Sequence, residues 1–350
     1  MRQRQTTQSN PTVSDIARVA EVSLATVDRV LNARPGVREA TVRKVNQAIA
    51  DLGYVRDTAA ANLARGRVYK FVFILPSNQN EFLTSLEAEI ERLRAGLRHE
   101  RTQLSFVRVA AFDPQALAAA IDAIDTQAVD GVAIFGPETP SVRDSIVHLK
   151  ENGVTVVSLV SDIPSSDRDF YVGVDNIAAG RTAAQLLGRF LGGRTGKILF
   201  LTGSMLARDH LERRLGFDEV MARDFPNLCV LASLEGHDDA NLIEKLMPNV
   251  LAENPDIVGV YSSAAGNEGL LRFFEGWPRD RTPVVVAHEL TPLSRDALEK
   301  GLFDAVISQD SGHLIRSAVR IMRAKSEMTP INPAQERIRI DVYLKENIPL

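Results

Sequence analysis

The chain has a single cysteine, Cys229, among its 350 residues, so it cannot form an internal disulfide. This scarcity is typical of a protein kept in a reducing compartment, and we expect a cytoplasmic location. The first ten residues, MRQRQTTQSN, contain no apolar run, which argues against a secretory signal. No segment approaches the ~20 apolar residues of a membrane span, so no membrane partner is expected.

Several enzyme signatures are missing as well. The first apolar run is followed by LPSNQNEF instead of a Gly-rich phosphate loop, and no Walker motif or G-x-S-x-G elbow occurs. The six histidines are scattered without metal-ligand spacing. The paired carboxylates Asp238 and Asp239 are better explained by a helix start. We therefore expect no catalytic residue, no cofactor and no metal site.

The charge is unevenly distributed along the chain. The formal net charge is −4, yet residues 1–67 carry eleven Lys or Arg against six Asp or Glu, whereas the remainder carries 30 basic and 39 acidic residues. A basic N-terminal segment on an acidic body indicates that this segment approaches a polyanion such as DNA.

The basic segment reads as three short helices. Thr12, followed three residues later by Asp15, resembles a capping box, and Ile16, Val19 and Ala20 follow at helical spacing. After a break, Ser23 caps a second helix, LATVDRVLN, and a third helix runs from about residue 38 to 52 and stops at a glycine. Two helices joined by a tight turn and packed by a third form a helix-turn-helix unit. An arbitrary small helical bundle is the alternative.

The second helix has two distinct faces. Its apolar face carries Val27, Val30 and Leu31. The opposite face, which would enter the major groove, carries Leu24, Ala25, Asp28, Arg29 and Asn32.

The stretches TVSDIARVAEVSLATVDRVLN and VREATVRKVNQAIADLGY resemble the DNA-binding head of the lactose-repressor/galactose-repressor family over residues 12–54. This resemblance implies that Leu24, Ala25 and Arg29 read base edges, with Arg29 pairing with guanine. Asp28 either accepts from a cytosine, restrains Arg29 or is merely solvated. The DNA-binding residues that the resemblance implies are Thr12, Ser23, Leu24, Ala25, Thr26, Arg29, Asn32 and Leu63.

Residues 56–67, RDTAAANLARGR, are too short to hold a helix alone in water. They resemble the family's hinge helix, in which a leucine opens a minor-groove step; here that residue is Leu63. A plain flexible linker is the alternative. We therefore expect a DNA-binding domain in residues 1–55, a hinge in 56–68 and an effector-binding domain in 69–350.

From residue 69 onward, apolar runs such as YKFVFIL, GVAIF, VTVVSLV, KILFL, PVVVAH and AVIS alternate with helical segments. This alternation predicts parallel βαβ units. Roughly ten strands are too many for one small sheet. The fold class is therefore α/β: an all-α helix-turn-helix head, then a two-lobed core of two doubly wound parallel sheets with a ligand cleft between them.

The segments YVGVDNIAAGRTAAQLL and HLERRLGF resemble the sugar-binding core that this family shares with periplasmic sugar-binding proteins. The resemblance implies a small sugar or polyol effector. Carboxylates that accept from hydroxyls, an arginine fork and an aromatic cover suit such a ligand. The effector-binding residues that it implies are Asn80, Phe82, Ser161, Asp162, Arg213, Ser263, Glu289 and Gln309.

The sequence thus predicts a DNA-binding transcriptional regulator, a repressor, that binds double-stranded operator DNA as a homodimer under control of the effector. One alternative is a cytoplasmic solute-binding module whose head is only structural. Another is an α/β enzyme fused to a DNA-binding head.

Overall fold

The computed structural model describes residues 11–31, 35–54, 67–78, 80–97, 99–278 and 282–349. The chain separates into two compact units, residues 1–67 and residues 68–350. We call the first unit the head and the second the core.

The head contains three helices, α1 (Val13–Val19), α2 (Leu24–Leu31) and α3 (Glu39–Leu52). One residue from each helix, Ile16, Val27 and Val45, is completely buried where they meet, and this small apolar centre holds the helices together. Val19 was expected on the buried face of α1, but it is 44% exposed. Ala17 is buried instead, beside Ile16.

The ends of the head helices follow the capping rules read from the sequence. The Asp15 amide donates to Thr12 Oγ1 over 3.3 Å, and the Thr12 amide donates to Asp15 Oδ2 over 3.0 Å, so the capping box is present. Ser23 Oγ accepts from the Thr26 amide over 3.1 Å at the start of α2. Helix α3 ends at Gly53, whose φ of 60° is left-handed. The predicted helix-turn-helix head is confirmed.

The core alternates strands with helices. The strands are β1 (Tyr69–Pro76), β2 (Thr102–Val109), β3 (Gly131–Ile134), β4 (Thr155–Leu159), β5 (Phe170–Val172), β6 (Gly196–Thr202), β7 (Leu228–Val230), β8 (Leu234–Glu235), β9 (Ile257–Ser262), β10 (Val284–His288), β11 (Ala305–Ser308) and β12 (Asp341–Tyr343). The helices are α4 (Glu81–Leu97), α5 (Pro114–Asp122), α6 (Pro140–Glu151), α7 (Asn176–Leu191), α8 (Arg208–Asp224), α9 (Ala240–Glu253), α10 (Asn267–Glu275), α11 (Pro292–Glu299), α12 (Ser311–Glu327) and α13 (Pro333–Glu336). A 3-10 turn spans Lys345–Asn347.

The strands form two sheets, and each sheet is the centre of one lobe. The first lobe has the parallel order β2-β1-β3-β4-β5. The second lobe has the order β12-β11-β10-β9-β6-β7, with β8 also paired to β6. Strand β12 is antiparallel to β11, so the second sheet is not wholly parallel as the sequence analysis supposed. The predicted two-lobed α/β fold is otherwise confirmed.

Helices cover both faces of each sheet. In β1, Phe71 and Phe73 face a core that includes side chains of α4 and α12, while Val72 and Ile74 face a core that includes α5 and α6. The strands of the second lobe alternate in the same way between α9–α11 and α7–α8. Strands buried on both faces read as the continuous apolar runs seen in the sequence.

The chain crosses between the lobes three times. It leaves the first lobe between β5 and α7, returns between β11 and α12, and crosses again between α12 and β12. Helix α12 therefore packs in the first lobe, with Leu314 and Ile315 completely buried there, although it follows the strands of the second lobe in sequence.

Candidate functional site

A cavity of about 370 Å³ opens at the carboxyl ends of strands from both sheets. Residues that follow β1, β2, β3 and β4 line it from the first lobe, and residues that follow β6, β8, β9 and β10 line it from the second. Strand ends of a doubly wound sheet are where loops bring polar groups together. The cavity lies where the sequence predicted a ligand cleft.

Helices α7 and α8 cross at two glycines, and this contact positions the cavity's arginine. A Cβ on Gly180 would lie 2.0 Å from the carbonyl oxygen of Arg213, and a Cβ on Gly216 would lie 2.0 Å from that of Ile177. Both glycines belong to the two motifs that carried the family resemblance. Because only glycine fits at either crossing point, the backbone that bears Arg213 is held directly against α7.

Arg213 is 3% exposed and lies at the floor of the cavity. Its Nε donates to Asn176 Oδ1 over 2.9 Å, and its Nη1 donates to the Ser263 carbonyl over 2.6 Å. Asn176 in turn donates to the Tyr171 hydroxyl over 3.2 Å. Burial raises the pKa of Tyr171 above its ordinary value, so this hydroxyl stays neutral. The network fixes the guanidinium plane before any ligand arrives.

Glu289 follows β10 and is 8% exposed, with a left-handed φ of 66° that turns its side chain towards the cavity. Its Oε1 accepts from Gln309 Nε2 over 2.9 Å. Burial raises the pKa of Glu289, and the positive charge of Arg213 partly opposes that rise. The adjacent His288 bonds through Nε2 to the Tyr261 hydroxyl over 2.7 Å, and burial lowers its pKa well below the ordinary value. His288 is therefore neutral.

Asp238 joins the two lobes across the cavity. Its Oδ2 accepts from Asn78 Nδ2 of the first lobe over 3.0 Å, and its Oδ1 accepts from the Ala265 amide over 3.2 Å. Burial raises the pKa of Asp238, while its interaction with His210 opposes that rise. The neighbouring Asp239 has a different task, since its Oδ1 caps α9 through the amides of residues 241 and 242.

Asp209 is a buried acid of the cavity lining with one oxygen that lacks a donor. It is 3% exposed, and its amide donates to Ser161 Oγ over 3.3 Å. Its Oδ2 lies 3.6 Å from His210 Nε2. Its Oδ1 has no hydrogen-bond partner in the described part of the chain. A buried carboxylate oxygen without a donor is costly, so this atom is suited to a donor from a ligand.

Aromatic rings form the apolar walls. Phe82, Phe112 and Phe135 line the cavity from the first lobe, and the Phe112 ring centroid lies 6.1 Å from that of His210 in the second. Flat apolar rings beside hydrogen-bonding groups suit a ligand with one apolar face and polar edges.

The predicted effector residues fall into three groups. Asn80, Phe82, Ser161, Arg213 and Glu289 line the cavity. Ser263 and Gln309 lie behind it, where they hold Arg213 and Glu289 respectively.

Asp162, which was expected to contact the effector, is not among the lining residues. Arg168 binds its carboxylate with both Nε and Nη2, the latter over 2.7 Å, and Ser158 Oγ donates to it over 2.7 Å. Its acceptors are thus engaged in shaping the loop after β4.

The polar lining residues that sequence reasoning missed include Asn78, Asp209, His210 and Asp238. The paired carboxylates are a sequence signal at Asp238, but the helix start that they predict uses only Asp239. Asn78 lies in the loop LPSNQNEF, whose lack of glycine excludes a phosphate loop without indicating another ligand. Asp209 and His210 carried no separate signal.

On the head, the predicted reading face of α2 is open to solvent. Leu24 is 54% exposed, and Ala25 and Arg29 are exposed as well. Thr12 and Ser23 act as caps within the head, as described above. Asn32 and Leu63, together with most of the predicted hinge, lie outside the described residues.

The architecture is that of the two-lobed binding proteins. The solved glucose-galactose binding protein from Geobacillus stearothermophilus is similar to this chain with a TM-score of 0.72 and 21% identity, covering 81% of this chain and 100% of that one. A solute-binding protein from Burkholderia graminis, solved with D-arabinose, has a TM-score of 0.70 and 21% identity, covering 80% and 96%. Similarity to solved structures at 21% identity shows that this chain has the same fold.

Family matches cover both units. Residues 71–327 match the periplasmic binding protein domain, and residues 12–57 match bacterial regulatory proteins of the lacI family. The chain belongs to the periplasmic binding protein domain family and carries a lacI-family head.

Curated relatives match over part of their length. Catabolite control protein A of Priestia megaterium is 40% identical over 82 residues, which is 23% of this chain and 25% of that protein. Catabolite control protein A of Staphylococcus epidermidis is 28% identical over 176 residues, or 50% and 51%. The chain thus spans about half the length, or less, of these relatives. The xylitol-binding protein of Mycolicibacterium smegmatis is 24% identical over 67% of this chain and 68% of its own.

Two further properties bear on the classes of function considered above. Within the described ranges, no helix is both long enough and apolar enough to cross a membrane. No cluster of three or more potential metal ligands is formed by the residues that the structure describes.

Proposed function

We propose that this chain is a transcriptional repressor in the cytoplasm, which binds operator DNA through its head. A small sugar or polyol in the core cavity controls that binding. The observation that carries the proposal is the combination, in one chain, of a lacI-family head with a cavity whose floor holds the fixed guanidinium of Arg213.

The cavity chemistry supports a polyhydroxy ligand. Arg213 supplies donors, Asp209 and Glu289 supply acceptors, and Phe82 and Phe112 supply apolar walls. Vicinal hydroxyls both donate and accept, and the carbon face of a sugar ring stacks on aromatic rings. The names of the xylitol-binding relative and of the glucose-galactose binding protein point to the same ligand class.

The head supports sequence-specific DNA binding. We propose that exposed Leu24, Ala25 and Arg29 contact bases, that Thr26 and Asn32 contribute to the same interface, and that Leu63 enters the minor groove. Thr12 and Ser23 then present the helix N-termini to phosphates.

We propose binding rather than catalysis in the cavity. Its two histidines are engaged with protein groups: His210 Nδ1 lies 3.0 Å from the Ser204 carbonyl, and His288 bonds to Tyr261. Regulators with lacI-type heads act by binding, and this cavity offers the donors and acceptors of a binding site.

A three-part experiment on the full-length protein tests the proposal. Selection from random duplexes should recover a preferred site, whose affinity falls as salt rises because phosphate contacts release counterions. A thermal-shift panel of sugars and polyols should then reveal a compound that raises the melting temperature. That compound should change operator affinity and should be recovered chemically unchanged.

Each rival predicts a different failure. A solute-binding module would be stabilised by the compound yet show no sequence preference for DNA. An enzyme would convert the compound, which NMR of the recovered ligand detects. Either result would overturn the proposed function.

We also propose that the repressor is a homodimer on a near-palindromic site, because one helix-turn-helix reads only a few base pairs and two-fold symmetry doubles the readout. Sedimentation at micromolar concentration, with and without operator, should show a dimer. A monomer under both conditions would refute this.

A further inference from the structure

The lining of the core cavity is rich in acids. Three carboxylates lie deep in it or bridge it, those of Asp209, Asp238 and Glu289, and two more lie at its edges, those of Glu81 and Glu268. Among the described lining residues, Arg213 is the only lysine or arginine.

The positive charge of Arg213 is already engaged. Its Nε and Nη1 serve two protein acceptors, Asn176 and Ser263. Its charge also acts on Glu289, where it opposes the effect of burial. A ligand anion would therefore compete with Glu289 for the one permanent cation of the lining.

Helix N-termini offer no substitute for missing cations. Helices α8, α9, α10 and α11 begin at the cavity wall, and a free helix N-terminus attracts anions. Asp209 and Glu268 lie in the first turns of α8 and α10. Helices α9 and α11 have no acid in their first turn, but Asp239 caps α9 and the Leu293 amide of α11 donates to Glu81. Each of these helix N-termini therefore already faces a carboxylate, which an incoming phosphate would meet.

Acceptor atoms of the cavity lack donors. Asp209 Oδ1 and Asn78 Oδ1 are buried without a hydrogen-bond partner in the described residues. Asp209 is 3% exposed, so water reaches this oxygen poorly. A ligand that satisfies both atoms must bring N–H or O–H groups, and an anionic group brings only acceptors.

We propose that the effector is a polyhydroxy compound without an anionic group, whose hydroxyl or ammonium donors bind Asp209 and the Asn78–Asp238 pair. Phosphorylated sugars and sugar acids are excluded. This inference rests on the proposed function and narrows the effector to compounds that carry no negative charge.

Matched ligands test the charge class directly. Calorimetry on the full-length protein would compare a neutral sugar with its amino, phosphate and acid forms: D-glucose, D-glucosamine, D-glucose 6-phosphate and D-glucuronate. The same four forms would follow in the galacto and manno series. D-Ribose and xylitol would each be compared with the corresponding 5-phosphate. Within the series that binds, we expect the neutral or amino form to bind at least tenfold more tightly than the phosphate or the acid. Comparing each amino sugar with its neutral parent shows whether the ligand donates to the cavity acceptors through a hydroxyl or through an ammonium.

Two failures are distinguishable. If a phosphate or an acid binds as tightly as its neutral parent, the inference is wrong while a sugar effector stands. If no compound of any charge binds, the proposed sugar effector falls, and the inference falls with it.

Adjacent aspartates provide a matched pair of variants. Asp238→Asn removes a charge from the cavity but keeps an oxygen for the Ala265 amide. The ratio of the affinities for the neutral and the phosphorylated form should fall at least threefold in this variant. Asp239→Asn removes the same charge at an exposed helix cap that does not line the cavity and should leave the discrimination unchanged. Equal effects of both variants would show that overall charge acts here, and would overturn the assignment of the site.

Discussion

Replacing Arg213 with alanine is expected to abolish the effector response while operator binding persists. The guanidinium lies on the cavity floor, 3% exposed, in a unit separate from the DNA-binding head. The substitution removes the only arginine that lines the described cavity. It leaves the reading face of α2 untouched.

The structure sets the size of the effect. A hydrogen bond from a charged donor contributes about 1.5–3 kcal/mol, which corresponds to a loss of affinity of about 10- to 150-fold. The variant also leaves the Asn176 side-chain oxygen and the Ser263 carbonyl without their donors. Each orphaned buried acceptor costs about 1–3 kcal/mol of stability, so the melting temperature of the core should fall.

Calorimetry with the effector and fluorescence anisotropy on operator DNA check the two halves of this prediction. Arg213→Lys separates charge from geometry, because lysine keeps the charge but lacks the planar fork; we expect it to recover little affinity. Arg214→Ala is the matched control. Arg214 bonds instead to Asp218 and to the Leu231 carbonyl, and it is not a lining residue.

The reasoning would be refuted if Arg213→Ala, still folded by circular dichroism, bound the effector as tightly as the parent. A loss of equal size in Arg214→Ala would also refute it, since the effect would then come from α8 as a whole.

Three other predictions follow from the described residues. Arg29→Ala should weaken operator binding by about 1–3 kcal/mol and relax specificity at one base pair per half-site. Fluorescence anisotropy with single-base operator variants checks this. Equal weakening on every sequence would place Arg29 on phosphate. Gly180→Ala should lower the stability of the core by about 1–3 kcal/mol or more, because the added Cβ would lie 2.0 Å from the carbonyl oxygen of Arg213. Thermal unfolding measures this, and an unchanged melting temperature would contradict the packing argument. Burial raises the pKa of Glu289 above 4.5, so the folded state holds that proton more tightly and stability should fall as the pH rises from 4.5 through the raised value. Glu289→Gln should flatten that part of the melting profile, and an identical profile would contradict the assignment.

Much of the fold was predictable from local patterns. The central strands of both sheets are buried on both faces and so read as continuous apolar runs. In the head, α3 ends at Gly53, the glycine at which the sequence predicts its end. The antiparallel β12 was not predictable, because Asp341–Tyr343 is only three residues long and its place at the sheet edge depends on the final crossing between the lobes.

The site was partly predictable for a related reason. Arg213 and Glu289 follow from the resemblance, because each is adjacent to a recognisable motif or strand end. Asp209 and Asp238 do not, because they come together only when the start of α8 and the loop after β8 converge on the same cavity. Asp162 shows the opposite case: its position after a strand suggests a ligand contact, but Arg168, six residues later, engages its carboxylate in this structure.

Hydrogen bonds between the two lobes bear on how the proposed ligand would change the shape of the core. Hydrogen bonds that join the lobes around the cavity include Asn78 to Asp238 over 3.0 Å, Arg208 to Glu138 over 3.1 Å, the Leu293 amide to Glu81 over 3.2 Å, and the Asp209 amide to Ser161 over 3.3 Å. Bonds of this kind contribute about 0.5–1.5 kcal/mol each, or up to about 3 kcal/mol where a group is charged. Individually such bonds are weak, so we expect the spacing of the lobes to respond to a bound ligand. A ligand shifts an equilibrium between two arrangements only through its different affinity for them. A donor-rich ligand that contacts Phe82 of the first lobe and Asp209 of the second gains both contacts only when the lobes are together, which is the differential affinity that control of the head requires.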